Sequence, residues 1–212
     1  SRGADRKWAV RDVLAEASRE PQACLHVPRP RPPILLHGPS LAELEAEIGT
    51  IHARSTDAAG RRLRKDASVL LAGVASYPRG GIEYGYWKQC ALEWLRLEFG
   101  DRLRSVVEHT DEAHPHLHFY AVPLPGERFE VLHPGRQAAA EKARQGAKKG
   151  AQNAAYKQAM VGWQDDFQNA VAAHFALTRR GPGKRRLTRG AWKAEQEQAR
   201  SLAQPVPAEL TI

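Results

Sequence analysis

Residues 109–118 read His-Thr-Asp-Glu-Ala-His-Pro-His-Leu-His, and this stretch carries the strongest structural signal in the chain. Pro115 interrupts any helix here, so the residues that follow it are predicted to form a strand. Successive side chains on a strand point to opposite faces, so His116 and His118 share one face, about 6–7 Å apart. Leu117, between them, then faces a hydrophobic core on the other side.

A second strand is predicted over residues 104–109, and the short turn at 111–115 indicates an antiparallel hairpin. His109 ends that strand and can supply a third imidazole beside His116 and His118. Three neutral His ligands leave a divalent ion its full charge and open positions, so it can attract and polarise a phosphate. The alternative is that these His residues are solvated or packed in the core.

Two acidic residues lie in the turn of this hairpin. Glu112 could contact a metal-bound water or orient a ligand imidazole. Asp111 is expected to fix the turn or to bind the second nitrogen of a ligand. Ordinary turn chemistry is the alternative for both carboxylates.

Helices are predicted around the hairpin. Ser40 and Glu43 form a capping-box pattern at the start of a helix over 41–54. Gly100 is expected to end a Trp-rich helix over 82–99. The remaining predictions are a helix over 8–18, a strand over 66–77, a helical region over 134–175 and a helix over 191–202.

Residues 21–39 contain six prolines, including Pro28-Arg-Pro-Arg-Pro-Pro33. Such a segment cannot be a helix or a central strand, and we expect an extended covering segment. The fold class predicted is α+β, with an antiparallel sheet backed by helices and a helical basic C-terminal part. The expected parts are an N-terminal helix, the Pro-rich covering segment and a second helix over 1–60, and a metal-binding catalytic core sheet over 61–125. A basic helical DNA-binding part of the same domain follows over 126–204, and a tail over 205–212.

The net charge of +8 is unevenly distributed, because residues 128–200 contain 15 Lys or Arg against six Asp or Glu. Such asymmetry is typical of a surface that binds a polyanion, although it also fits a merely soluble basic surface. The densest cluster is predicted to contact DNA, and it comprises Arg179, Arg180, Lys184, Arg185 and Arg186.

Composition excludes an integral membrane protein, since no apolar run approaches the roughly 18 residues that span a bilayer. The N-terminal residues are polar and do not resemble a signal peptide. Cys24 and Cys90 lie in unrelated contexts and are expected to be reduced, which indicates a cytoplasmic location.

The stretch His109–His118 matches the pattern H-x-D-E-x-x-P-H-x-H and resembles the Mob/Pre (MobV-type) plasmid mobilisation relaxases, a group of the HUH endonucleases. Weaker matches follow the family's order over residues 60–190. Arg64-Lys65-Asp66-Ala67 resembles its R-K-D-A segment, Trp163–Phe167 its L-Q-D-x-F helix, and Arg180–Lys184 a shortened R-G-x-x-G-x-K loop.

The resemblance implies an HUH-relaxase-like fold that nicks one DNA strand at a plasmid origin of transfer and forms a covalent protein–DNA intermediate. It implies Mn²⁺ or Mg²⁺, with Zn²⁺ as an alternative, bound by His109, His116 and His118. Glu112 takes the acidic catalytic position, and the basic segment of Arg64 and Lys65 is expected to contact DNA. Single-stranded DNA and accessory transfer proteins are the expected partners, with the oligomeric state left open.

The nucleophile does not carry over. The family has an N-terminal H-N-x-R element whose His is the proposed nucleophile, and the nearest match, Trp8-Ala-Val-Arg11, lacks that His. Covalent attack needs an activated oxygen or nitrogen beside the phosphate. His26 is the first candidate, followed by Tyr86 and Tyr84, unless the nucleophile lies upstream or is missing. The alternatives are a single-stranded DNA-binding protein that cuts weakly or not at all, and a three-His hydrolase of small phosphoesters.

Overall fold

A computed structural model describes residues 9–56, 60–65, 67–78, 81, 83–177 and 194. Four strands form one antiparallel sheet in the order β1-β3-β4-β2. Their ranges are β1 Ile34–His37, β2 Leu71–Ser76, β3 Leu103–His109 and β4 His116–Ala121.

The central hairpin is formed by β3 and β4, as the sequence predicts. His109 lies opposite His116, and Val107 lies opposite His118. Because side chains alternate along each strand, this register places all three His residues on the same face of the sheet. The predicted α+β class with an antiparallel sheet and helices is confirmed.

Helices cover both faces of this sheet. On the face that carries the His residues lie α1 (Val10–Ala17) and α2 (Leu41–Arg54), which pack against Val107, Tyr120 and Val122. On the other face, α3 (Tyr84–Phe99) packs against the side chains that point the opposite way. This second core is the larger, and its sheet members include Leu103, Val106, Leu117, Phe119 and Ala121.

The C-terminal helical region consists of α4 (Pro134–Arg144) and α5 (Lys149–Ala170), which contact one another. The sequence predicted continuous helical character over 134–175, but the chain turns at Gly146, which has a φ of +75°. Trp163 on α5 packs against Trp94 on α3, with ring centroids 5.7 Å apart. The predicted helix over 191–202 lies outside the described residues apart from Ala194, which is helical.

The predicted helix ends agree with local chemistry. The Ser40 amide donates to Glu43 Oε2 at 2.8 Å, and Ser40 Oγ accepts from the Glu43 amide at 3.4 Å, which completes the capping box. Helix α3 ends at Gly100, whose φ of +52° favours glycine.

The proline-rich segment departs from its prediction. Residues 34–37 form the edge strand β1, which pairs with β3, so the segment does more than cover the core. An edge strand needs backbone partners on one side only, and the prolines lie before and after the paired residues. The predicted boundary at residue 60 therefore divides elements of one sheet. None of the helices described has both the length and the apolar composition to cross a membrane.

Gly38 provides a test of the packing of β1 on β3. Its φ is +73°, and a Cβ at this position would lie 1.7 Å from the Arg104 carbonyl oxygen. We expect Gly38→Ala to lower the free energy of unfolding by about 2 kcal/mol or more, measured by urea denaturation, because the backbone must move.

Gly49→Ala is the matched control, since Gly49 lies in α2 and, apart from its chain neighbours and the adjacent backbone of that helix, no atom lies within 4 Å of the place that an added methyl group would occupy. That substitution should raise the free energy of unfolding by about 0.5–1 kcal/mol. Equal effects of the two substitutions would contradict this account of β1.

Candidate metal centre

Three imidazoles converge at the turn end of the central hairpin. The ring centroids of His109 and His116 lie 5.2 Å apart, those of His109 and His118 4.7 Å, and those of His116 and His118 5.0 Å. One nitrogen from each ring lies within 4.8 Å of the other two. This spacing brings three donor atoms of one sheet face within reach of a single ion, as the sequence predicts.

Hydrogen bonds determine which nitrogens can bind a metal. His109 Nε2 donates to the Ala17 carbonyl at 2.9 Å, and His116 Nδ1 donates to the His114 carbonyl at 2.9 Å. A carbonyl oxygen only accepts, so these nitrogens carry the protons. His109 Nδ1 and His116 Nε2 are therefore left with lone pairs.

His109 Nδ1 is buried and has no hydrogen-bond partner in the described part of the chain. An acceptor buried without a partner is costly, by about 1–3 kcal/mol. A metal ion at the centre of the three rings would accept this lone pair and remove the cost. The donor set therefore fits a divalent transition-metal ion, for which imidazole is a suitable ligand.

The protonation states of the rings favour ligation. Burial lowers the pKa of His109 to about 4, and the positive charge of Arg19 contributes. Burial also lowers the pKa of His118 to about 3, with further contributions from His109 and His116. Both rings are therefore neutral near pH 7, which is the form that binds a metal.

A buried arginine lies beside the centre, and sequence reasoning missed it. The Arg19 side chain is 2% exposed. Its Nε and Nη2 donate to the two carboxylate oxygens of Asp111 at 3.0 and 2.9 Å. Nη2 also donates to Glu112 Oε1 at 2.6 Å, and Nη1 donates to Glu16 Oε1 at 2.9 Å. Arg19 thus joins the end of α1 to the turn of the hairpin.

Asp111 connects this turn to the proline-rich segment as well. Besides Arg19, its carboxylate accepts from the Arg31 amide at 2.9 Å. Burial alone would raise the pKa of Asp111, but the hydrogen bonds from Arg19 and from the Arg31 amide hold it at about 2. We expected Asp111 to fix its own turn or to bind a ligand imidazole; its carboxylate in addition binds the segments that cover the sheet.

A cleft of about 360 Å³ opens over His116 and His118. Glu112 lines it, with Oε1 3.8 Å from His116 Nε2. His26 lines it too, and its Nε2 lies 3.5 Å from Glu16 Oε1 and 4.0 Å from Glu112 Oε1. The structure therefore brings Glu112 and His26, both predicted as catalytic, to the metal centre. The remaining side chains around the cleft are Glu16, Val74, Ser76, Ala113 and His114.

Tyr86 does not reach this cleft. It lies on α3, which packs on the opposite face of the sheet, and its ring contacts Phe175 with centroids 5.5 Å apart. Tyr84 is on the same helix and packs beside Tyr77 and Trp87. This placement removes both tyrosines from the candidate nucleophiles, because the sheet separates them from the three His residues.

Of the predicted DNA contacts, the two described residues, Arg64 and Lys65, are not brought to the metal centre. Arg64 and Lys65 precede β2, whose first residue pairs with Ala121 at the end of the hairpin far from His116. Arg179, Arg180, Lys184, Arg185 and Arg186 lie outside the described residues.

Comparisons with protein-family models, with curated proteins and with solved structures found no match to this chain. The residues of the site and the pattern that they form are therefore the basis on which a function is proposed.

The three-His centre predicts a specific loss of metal affinity. His116→Ala should raise the dissociation constant for Mn²⁺, measured by titration calorimetry, by more than the roughly 10–100-fold typical of residues that only orient a ligand. The physical reason is the loss of one of three donors.

His114→Ala is the matched control, because its ring lines the same cleft while its carbonyl still accepts from His116. We expect little change in Mn²⁺ affinity for this variant. If His116→Ala binds Mn²⁺ as tightly as His114→Ala does, His116 is not a ligand.

Proposed function

We propose that this protein is a relaxase-like enzyme that uses a divalent metal ion to nick and transfer one strand of DNA at a plasmid or mobile-element origin of transfer. The observation that carries the proposal is the convergence of the imidazoles of His109, His116 and His118, with the buried Nδ1 of His109 lacking a hydrogen-bond partner among the described residues. A metal ion held by these rings would supply Lewis-acid polarisation of a phosphate.

The charge of the chain supports a polyanionic substrate. The net charge is +8, and the excess of Lys and Arg lies between residues 128 and 200. Contacts to phosphates release counterions and strengthen binding to nucleic acid. A small phosphoester would not need so extended a basic region.

The fold supports the same proposal. The H-x-D-E-x-x-P-H-x-H motif implies a sheet that carries its metal ligands on one face, and the antiparallel hairpin meets that requirement. The acidic residue of the motif, Glu112, lines the cleft above His116.

Arg19 is a second candidate counterpart of the arginine in the H-N-x-R element, beside Arg11 of the nearest sequence match. Arg19 bonds both acidic residues of the His motif, whereas Arg11 forms an exposed ion pair with Glu20. Taking Arg19 as the arginine of this element gives Glu16-Ala-Ser-Arg19, with Glu16 where the family has its nucleophilic His. The usual nucleophile is thus replaced by a carboxylate.

His26 is the nucleophile that we propose. It lines the cleft with the metal-binding His residues, between the carboxylates of Glu16 and Glu112. A lone pair on its ring attacks phosphorus, and the bond from phosphorus to the 3′-oxygen breaks. The 3′-oxygen leaves with the electron pair and takes a proton from water, so the DNA 5′-phosphate remains attached to His26.

The test uses the full chain with Mn²⁺ and a pool of single-stranded oligonucleotides with a random internal segment and a 3′ fluorescent label. Labelled protein–DNA adducts that survive treatment with SDS are isolated, and the attached DNA is sequenced. We expect adducts enriched in one sequence, dependent on Mn²⁺ and lost in His118→Ala.

Two outcomes would favour the alternatives. Salt-dependent binding to the pool with neither adducts nor cleavage would indicate a single-stranded DNA-binding protein. Turnover of bis-p-nitrophenyl phosphate without DNA affinity would indicate a hydrolase of small phosphoesters.

His26→Ala should abolish the covalent adduct while Mn²⁺ and DNA binding remain, because His26 is not among the three metal ligands. The wild-type adduct should be labile to acid and stable to alkali, as a bond from phosphorus to an imidazole nitrogen requires. A hydroxylamine-labile adduct that survives in His26→Ala but not in Glu16→Gln would instead identify Glu16 as the nucleophile.

A further inference from the structure

Arg19 contacts two members of a second group of candidate ligands beside the three-His cluster. Glu16, His26 and Glu112 each offer one ligand atom, and these atoms lie within 4.8 Å of one another. The guanidinium already donates to two members of the group, Glu16 at 2.9 Å and Glu112 at 2.6 Å. A cation binding there would have to displace a buried positive charge.

Arg19 also lies close in the chain to the backbone group that binds His109. It follows Ala17 by two residues, and the Ala17 carbonyl accepts the proton of His109 Nε2. Arg19 has a φ of +61°, a conformation that costs energy for any residue except glycine. Its paired hydrogen bonds to Asp111 hold the end of α1 against the hairpin in spite of this cost.

We infer that Arg19 is the resident cation and positioning residue of the metal centre. Its guanidinium holds Glu16 and Glu112 in the place where a second metal ion would otherwise bind, so the site takes one metal ion. Through Ala17 it fixes the His109 ring with Nδ1 directed to the other two imidazoles. This inference depends on the metal binding that the proposed function requires, but it does not depend on any action on DNA.

The experiment measures Mn²⁺ affinity and stoichiometry of the full chain by titration calorimetry, and compares wild type with Arg19→Gly. Glycine removes the guanidinium and relieves the positive φ, so loss of affinity cannot be attributed to backbone strain. We expect one Mn²⁺ per wild-type chain and an affinity at least about tenfold weaker in Arg19→Gly, the lower end for residues that orient a metal ligand.

Two controls separate positioning from general stability. Guanidinium chloride at millimolar concentration should restore Mn²⁺ affinity to Arg19→Gly, whereas urea, a neutral molecule of the same shape, should not. Arg11→Ala removes an arginine of α1 that pairs with Glu20 and Glu45 away from the centre, and it should leave Mn²⁺ affinity unchanged.

A nitrogen-15 NMR spectrum of the imidazoles reports which ring nitrogen carries the proton, and a change in stability alone would not alter this result. The His109 ring should carry its proton on Nε2 in the metal-free wild type and should lose this single form in Arg19→Gly. If Arg19→Gly does not fold, Arg19→Lys serves instead, because lysine keeps the charge but cannot bind Asp111 with two parallel hydrogen bonds.

Mn²⁺ affinity in Arg19→Gly or Arg19→Lys equal to that of wild type would overturn the inference, as would two Mn²⁺ ions per wild-type chain. Failure of wild type to bind Mn²⁺ would instead refute the proposed function. The absence of DNA cleavage would leave the metal-binding comparison intact.

Discussion

The register between β3 and β4 is the constraint on which the rest of the structure depends. Because His109 lies opposite His116 and side chains alternate, one pairing places the imidazoles on one face and Leu117 in the main core on the other. A shift of one residue would exchange these faces, burying imidazoles against α3 and exposing aliphatic side chains. Hydrophobic packing against α3 therefore also maintains the geometry of the candidate metal centre.

Buried charge complements this packing. Arg19 and Asp111 have side chains that are 2% and 1% exposed, so each requires the other for compensation. Loss of one partner would leave an isolated charge in the interior, which is strongly destabilising. Helix α1 is consequently held both by Leu14 and Ala17 in the core and by an ion pair that reaches the turn at Asp111. The element that covers the metal centre is thereby attached to the loop between its ligands.

Local patterns predicted much of the fold. The Ser40–Glu43 capping box, the end of α3 at Gly100 and the hairpin around Pro115 each depend on a few neighbouring residues, and all three predictions were confirmed. The edge strand β1 was missed, because its four residues stand among prolines and have no alternating pattern. Its pairing with β3 depends on a partner about 70 residues away, which no local signal identifies.

The sequence by itself determined that His116 and His118 would share one face of a strand, since strand alternation is a property of the backbone. The pairing of β3 with β4 placed His109 on that same face. Only the tertiary structure decided which groups surround these three residues. Arg19 and Asp111 are 92 positions apart. Nothing local distinguishes Arg19 among the 32 Lys and Arg residues of the chain. The hydrogen bond from His109 to the Ala17 carbonyl could not be predicted from the sequence either. The packing of α1 places this backbone acceptor, and the identity of the Ala17 side chain does not indicate it.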